Sequence, residues 1–238
     1  KYLGRIDLKV NNGKVVETSS NLIPIFSDII PPDKKIRNLI NKVRAPFEKE
    51  CNRIVGETET LLYRRGNFNG SWDDVICDTI IQERDTEISF SPGFRWGTTI
   101  LPGQKITIDD IYSQTAMNYP EVYRTEMTGK MIKELLEDVC DNIFNPDPFF
   151  QQGGDMVRVG GLTYTCTPKN EIGKRISNLR IVSTDKLLEA NKKYIVGGWG
   201  SINPNVEGPP IYKLLEKFIS QKKILKKSNS KVVKIKGM

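Results

Sequence analysis

The chain of 238 residues contains no histidine. Zinc and manganese hydrolase centres ordinarily draw on imidazole ligands, and a Ser-His-Asp or Cys-His nucleophile needs an imidazole base. The sequence can build none of these by itself, so reactive groups of those classes would have to come from elsewhere. Its four cysteines, Cys51, Cys77, Cys140 and Cys166, include no C-x-x-C pair, which argues against a zinc ribbon or a thioredoxin-type site. Cys77 and Cys140 stand next to helical apolar positions and read as buried thiols; a disulfide in an oxidising compartment stays open, and spacing does not say between which two. No apolar run reaches the roughly 20 residues of a membrane-spanning helix. Neither G-x-G-x-x-G nor G-x-x-x-x-G-K-[ST] occurs, so the dinucleotide and P-loop fingerprints are missing.

Acid is also missing from residues 222–238, which hold seven lysines. The other 29 basic residues match the 29 acidic ones, so the net charge of +7 belongs to this tail. Such a tail can attract an acidic partner or nucleic acid. No aromatic residue interleaves its lysines, which leaves no stacking platform for a single strand. Val232-Val233-Lys234-Ile235 reads instead as a solvated end strand, and neither nucleic acid nor membrane is an expected partner.

What is present is a chain 38% hydrophobic and 27% charged, as in ordinary globular domains. Periodicity predicts strands over 1–10 and 14–25 joined by the turn Asn11-Asn12-Gly13. Their partners, and any targeting segment, are expected upstream. Asp33 caps a predicted helix with Ile36, Leu39, Ile40 and Val43 on one face, kinked at Pro46 and running to Gly56. A strand is expected over 58–63, then a helix capped by Ser71 and carrying Trp72, Val75, Ile76, Thr79 and Ile80. Further strands are expected over 87–90, 106–108, 122–127, 156–166, 175–182, 194–196 and 232–235. Thr128 caps an amphipathic helix, Pro209-Pro210 opens another, and Asp109–Tyr112 forms a short one. The fold class is α/β or α+β, with mixed sheets layered against about four helices.

Three glycine-rich loops stand at strand ends: Ser91-Pro92-Gly93-Phe94-Arg95-Trp96-Gly97, Phe149-Phe150-Gln151-Gln152-Gly153-Gly154-Asp155, and Gly197-Gly198-Trp199-Gly200. Pro and Gly make them loops with special backbone angles, and together they suggest one site. Arg95, flanked by two aromatics, could offer a planar fork to an oxyanion or be a plain surface charge. Arg64 and Arg65 could bind an anion or pair with Asp73 and Asp74. Arg158 could line the site or pair with Asp155.

Four strings carry a resemblance: 63–70 (YRRGNFNG), 91–97 (SPGFRWG), 114–120 (QTAMNYP) and 151–161 (QQGGDMVRVGG). With Leu101-Pro-Gly-Gln104 and Met127-Thr-Gly-Lys130 between them, the chain resembles the C-terminal domain of the 5′-nucleotidase family, and within it the SoxB-type thiosulfohydrolases. The resemblance implies that residues 1–30 close a metallophosphoesterase-like N-terminal domain, that 31–56 form a connecting helix, and that 57–238 bind substrate. It implies a periplasmic enzyme that releases sulfate from a cysteine S-thiosulfonate on a SoxYZ-like carrier. Two metal ions, manganese in this branch, would sit in the N-terminal domain, with no metal ligand and no catalytic group in this chain. Arg95 matches the family's phosphate-contacting arginine and would hold the sulfonate. Gly93, Arg64, Arg65, Asn67 and Asn69 would stand beside it, with Tyr119, Asp155, Arg158 and Trp199 shaping the substrate channel. The nucleotidase motif at the place of Pro92-Gly93-Phe94-Arg95 is Asn-Gly-Gly-Gly-Ile-Arg-like, and this chain departs from it by lacking the Asn and by carrying the bulky Phe94, which speaks against a nucleotide substrate. The rival expectations are a nucleotidase or nucleotide-sugar hydrolase domain and a protein-docking module that acts through its basic tail.

Overall fold

A computed structural model describes residues 2–26, 28–64, 66–94, 97–200, 206–226 and 232–237. The chain divides into two compact units, Lys1–Lys49 and Glu50–Met238.

The first unit is a hairpin of β1 (Tyr2–Asn11) and β2 (Lys14–Pro24), followed by helix α1 (Lys34–Arg44). Asn12 and Gly13 both take positive φ, at 47° and 74°, as a two-residue turn matched to strand twist requires. The Asp33 side chain accepts the Ile36 N–H at 2.9 Å, and Pro46 turns the end of α1 into a 3-10 turn, Ala45–Phe47. The apolar residues Ile36, Leu39, Ile40 and Val43 of α1 are exposed, as are those of both strands.

The second unit begins within α2 (Glu48–Cys51). The helix expected to reach Gly56 stops there, and Ile54–Thr58 forms strand β3. The reason is packing: a Cβ on Gly56 would stand 2.7 Å from Ile219 Cγ2 and 2.9 Å from the Lys223 carbonyl, so bare backbone lets the last helix lie against β3. The strand expected over 58–63 is correspondingly displaced, leaving only the isolated bridge between Leu62 and Ile100. The elements that follow are α3 (Ser71–Arg84), β4 (Ile88–Ser91), β5 (Lys105–Thr107), α4 (Ile108–Gln114), β6 (Tyr123–Thr128), α5 (Gly129–Phe144), β7 (Arg158–Gly160), β8 (Leu162–Cys166), β9 (Ile176–Ile181), β10 (Lys193–Gly198), α6 (Ile211–Lys222), β11 (Ile224–Leu225) and β12 (Val233–Ile235). The N-cap of α3 is Gly70, with Ser71 already in the first turn. Thr128 caps α5 through the Met131 N–H at 3.2 Å.

A four-stranded sheet in the order β6-β10-β4-β7 organises this unit, its central pair β10 and β4 parallel and its edges antiparallel. Two three-stranded sheets, β11-β3-β5 and β12-β8-β9, complete it. One core joins α3, α4 and α6 through Trp72, Ile76, Ile80, Ile111, Leu215 and Phe218. The other joins α5 to β4, β8 and β10 through Ile132, Leu136, Ile88, Leu162 and Val196. Gly161, at φ 70°, carries the chain from the four-stranded sheet into the next; a Cβ there would lie 2.1 Å from the Glu87 carbonyl oxygen. No described helix is long and apolar enough to cross a membrane.

Candidate functional site

Strands β4 and β10 run parallel and end together at Ser91 and Gly198, and loops leaving the C-terminal ends of such strands make a natural crevice. Antiparallel β7 and β6 begin at the same edge, since Arg158 pairs with Ser91 and Tyr123 with Gly198. The segments before β7 and β6 are thereby brought to the loops after β4 and β10. The loop before α3 joins them: the Met156 N–H donates to the Asn67 carbonyl at 3.0 Å, and Asn69 bridges to Val159, donating to its carbonyl at 2.9 Å and accepting its N–H at 3.2 Å. Gly93 lies against the same segment, where a Cβ would stand 2.3 Å from the Met156 carbonyl oxygen.

Arg64 is buried beneath these loops and holds them together. Its Nε donates to Asp73 Oδ1 at 2.6 Å, Nη1 to the Gln114 carbonyl at 2.8 Å, and Nη2 to the Pro92 carbonyl at 2.7 Å and, more weakly, to Ser91 Oγ at 3.4 Å. Its guanidinium carbon lies 3.6 Å from the centre of the Phe94 ring, a cation–π contact strengthened by the lack of water. Trp199 meets the same ring edge-on, at 6.0 Å and 85°, and donates its indole N–H to Ser91 Oγ at 2.9 Å. Phe94 and Trp199 are thus only 6% and 4% exposed. Gly200 donates its N–H to the Tyr119 carbonyl at 3.1 Å, leaving the Tyr119 ring partly in solvent.

Asp73 also faces Arg158, whose Nε lies 3.5 Å from Oδ2, and accepts the Gly70 N–H at 2.8 Å. Arg158 Nη2 donates to the Gly66 carbonyl at 2.9 Å and to Asp155 Oδ2 at 3.3 Å. Its Nη1 is buried without a hydrogen-bond partner among the described residues. Burial raises the Asp73 carboxyl above its usual range, opposed by the two guanidiniums, and lowers the Arg64 guanidinium. Asp74 is pushed up to about 6, chiefly by burial, while its hydrogen bond from Asn69 pulls the other way.

Of the residues singled out in the sequence, Gly93, Arg64, Asn67, Asn69, Tyr119, Asp155, Arg158 and Trp199 are brought to this one edge. Arg65 and Arg95, with Trp96, lie outside the described residues. Asp73 reads in the sequence as a helix N-terminal acid or an arginine partner, and it is the carboxylate at the centre of the arginine network. Ser91, which receives both the indole and the guanidinium, opens the first glycine-rich loop in the sequence, and nothing there marks it as their acceptor. Phe149 and Phe150 are 86% and 58% exposed on the turn before Gly153 and pack edge to face at 5.6 Å. Among the described residues, no group of three or more His, Cys, Asp and Glu side chains is placed to hold a metal ion.

Residues 54–222 match the family described as 5′-nucleotidase, C-terminal domain. The whole chain superposes on the structure of a Thermus thermophilus sulfate thiohydrolase SoxB with a TM-score of 0.90 and 32% identity, covering 45% of that protein. It superposes over 99% of its length on a Thermus thermophilus 5′-nucleotidase precursor, covering 50% of that chain, with a TM-score of 0.77 and 14% identity, which speaks for the fold alone. Among curated proteins it is similar to the trifunctional nucleotide phosphoesterase protein YfkN of Bacillus subtilis, at 27% identity over 77% of this chain and 13% of that one. The chain therefore spans half or less of the length of each.

Proposed function

Because the chain belongs to the 5′-nucleotidase C-terminal domain family, we propose that it is the substrate-binding part of a SoxB-type hydrolase that releases sulfate from a cysteine S-thiosulfonate on a carrier protein. The observation that carries this reading is the packing of Phe94. Its ring fills the space between the Arg64 guanidinium and Trp199, and with both rings buried neither Phe94 nor Trp199 offers a free face for a nucleobase to stack on. A small, tetrahedral, fully charged sulfonate needs no such face; it needs charge-assisted donors. Arg95, next to Phe94 in the chain, is the proposed anchor. The Arg64–Asp73–Arg158 network holds the loop that carries it.

In this proposal two metal ions, manganese by the same resemblance, would be held by the N-terminal part of the full-length protein and would supply an activated water; no cluster of described residues in this chain is placed to hold them. The chain alone is inactive. It binds the sulfonate, orients it and admits the carrier's cysteine arm, and the enzyme works in the periplasm. The 32% identity over the whole chain with a sulfate thiohydrolase supports this over the nucleotidases. Removing one well-placed oxyanion donor costs about 10²–10³ in rate, so Arg95→Ala in the full-length enzyme is expected to lower turnover on carrier-bound thiosulfonate by that factor with little change in Tm. Unchanged turnover would overturn the assignment.

One observation favours a nucleotide substrate instead. Phe149 and Phe150 present open aromatic faces, and the similarity to a nucleotide phosphoesterase points the same way. Hydrolysis of AMP or UMP by the full-length protein, lost on Phe149→Ala or Phe150→Ala, would establish that reading and displace the first.

A further inference from the structure

Cys140 on α5 and Cys166 at the end of β8 are both fully buried, and their sulfur atoms lie 3.7 Å apart. It is the one thiol–thiol contact among the described residues. Cys51 is only partly buried. Cys77 sits in the wall between α3 and β7, where a Cβ on Gly160 would lie 2.7 Å from its own Cβ.

The closeness of Cys140 and Cys166 is held by bonds that do not involve sulfur. Glu137, one turn before Cys140, accepts the backbone N–H groups of Gly173, Arg175 and Ile176 at 2.9, 3.2 and 2.8 Å. Asp141, the next residue after Cys140, accepts from Arg175 Nη1 at 2.5 Å. Ile176 is the direct partner of Cys166 across β8 and β9. The helix is therefore clamped to the strand opposite Cys166, and the two thiols are presented to each other by the fold. Bond formation requires this 3.7 Å separation to close to the roughly 2.0 Å of a sulfur–sulfur bond.

We propose that Cys140 and Cys166 are joined by a disulfide when the protein folds in the presence of a small-molecule or protein disulfide as oxidant. One cysteine thiolate attacks a sulfur of the oxidant and expels a thiolate, giving a mixed disulfide. The second cysteine thiolate then attacks the protein sulfur and expels the other half of the oxidant. The two protein thiols lose two electrons and two protons, and one oxidant disulfide becomes two thiols. Because both sulfurs are buried, exchange takes place during folding or local opening. The closed loop carries Asp155 and Arg158, so the bond also tethers a loop of the candidate site.

The full-length protein is refolded from urea with oxidised glutathione, alkylated under denaturing conditions and mapped by mass spectrometry. The expected result is one cross-linked peptide pair containing Cys140 and Cys166, two mass units lighter than its reduced form, with Cys51 and Cys77 alkylated. Alkylation of all four, or a cross-link through Cys51 or Cys77, would overturn the proposal. The oxidised protein is expected to melt roughly 5–15 °C above the reduced one, from the loop-closure entropy of a loop this long in a domain this size. That difference must vanish in the Cys140→Ser/Cys166→Ser variant, and its persistence there would equally count against the pair.

Discussion

Asp73 holds two guanidiniums at once, and all three side chains are fully out of water. Taking such charges from water is expensive, and the arrangement is tolerable only while each finds its counter-charge and hydrogen bonds. Asp73→Asn preserves shape and removes the charge, leaving Arg158 with Asp155 as its remaining carboxylate and Arg64 with carbonyl and hydroxyl acceptors in place of a carboxylate. It is expected to lower stability by about 3–5 kcal/mol, read from the urea midpoint at constant m, and to weaken substrate binding with it. A loss below 1 kcal/mol would mean the network is not what holds the loops. Its neighbour Asp74 behaves differently, because its carboxyl is pushed up to about 6 by burial. Between roughly pH 4, where a free aspartate ionises, and 6, the folded chain keeps a proton that the unfolded chain has released. Stability is thus unpenalised below pH 4 and falls as pH rises through 6. Asp74→Asn removes that penalty, so the variant's advantage in Tm over the parent is expected to grow from pH 4 to 7 and then level off; a constant difference would refute the assignment.

Among the elements, the basic tail is partly structural. The Tyr164 N–H donates to the Val232 carbonyl at 3.0 Å, and β12 pairs in parallel with β8. Val232 is buried in the core beneath. Truncation after Lys226 strips β8 of a neighbour, exposes its edge and is expected to lower Tm by several degrees. A truncation that leaves Tm unchanged but abolishes carrier binding would restore the docking-module reading. The same scale shows what local chemistry can announce. Asn12-Gly13, Asp33 and Thr128 announce their turn and caps because the physics lies within four residues: a positive φ, or a side-chain oxygen over the first helical N–H groups. Gly56 could not be read that way. Its role is set by Ile219 and Lys223 from far along the chain, so a residue that locally looks like a helix stop sits inside a strand. Arg64 and Arg158 are similar cases, since nothing within a few residues distinguishes an arginine facing a ligand from one facing a buried carbonyl.

At the scale of the molecule, the fold class was legible and the sheet order was not. Alternating patterns mark the individual strands, but nothing in β10 says that it inserts between β4 and β6. The loops of the candidate site were legible as glycine-rich strand ends, and their convergence follows only from that pairing. The separation involved is large: Trp199 reaches Ser91 across 108 residues. This has a consequence for synthesis on the ribosome. Chains emerge at about 5–20 residues per second, so β4 waits at least several seconds for its central partner, with its neighbouring core uncovered. Loop closure over such a span is slow compared with local helix formation, which leaves α3 and α5 formed before any crevice exists. A stalled or prematurely ended chain that lacks β10 would carry the arginines of the network and their partners but not Trp199, which follows β10 and closes on Ser91, and would present bare strand edges to other chains.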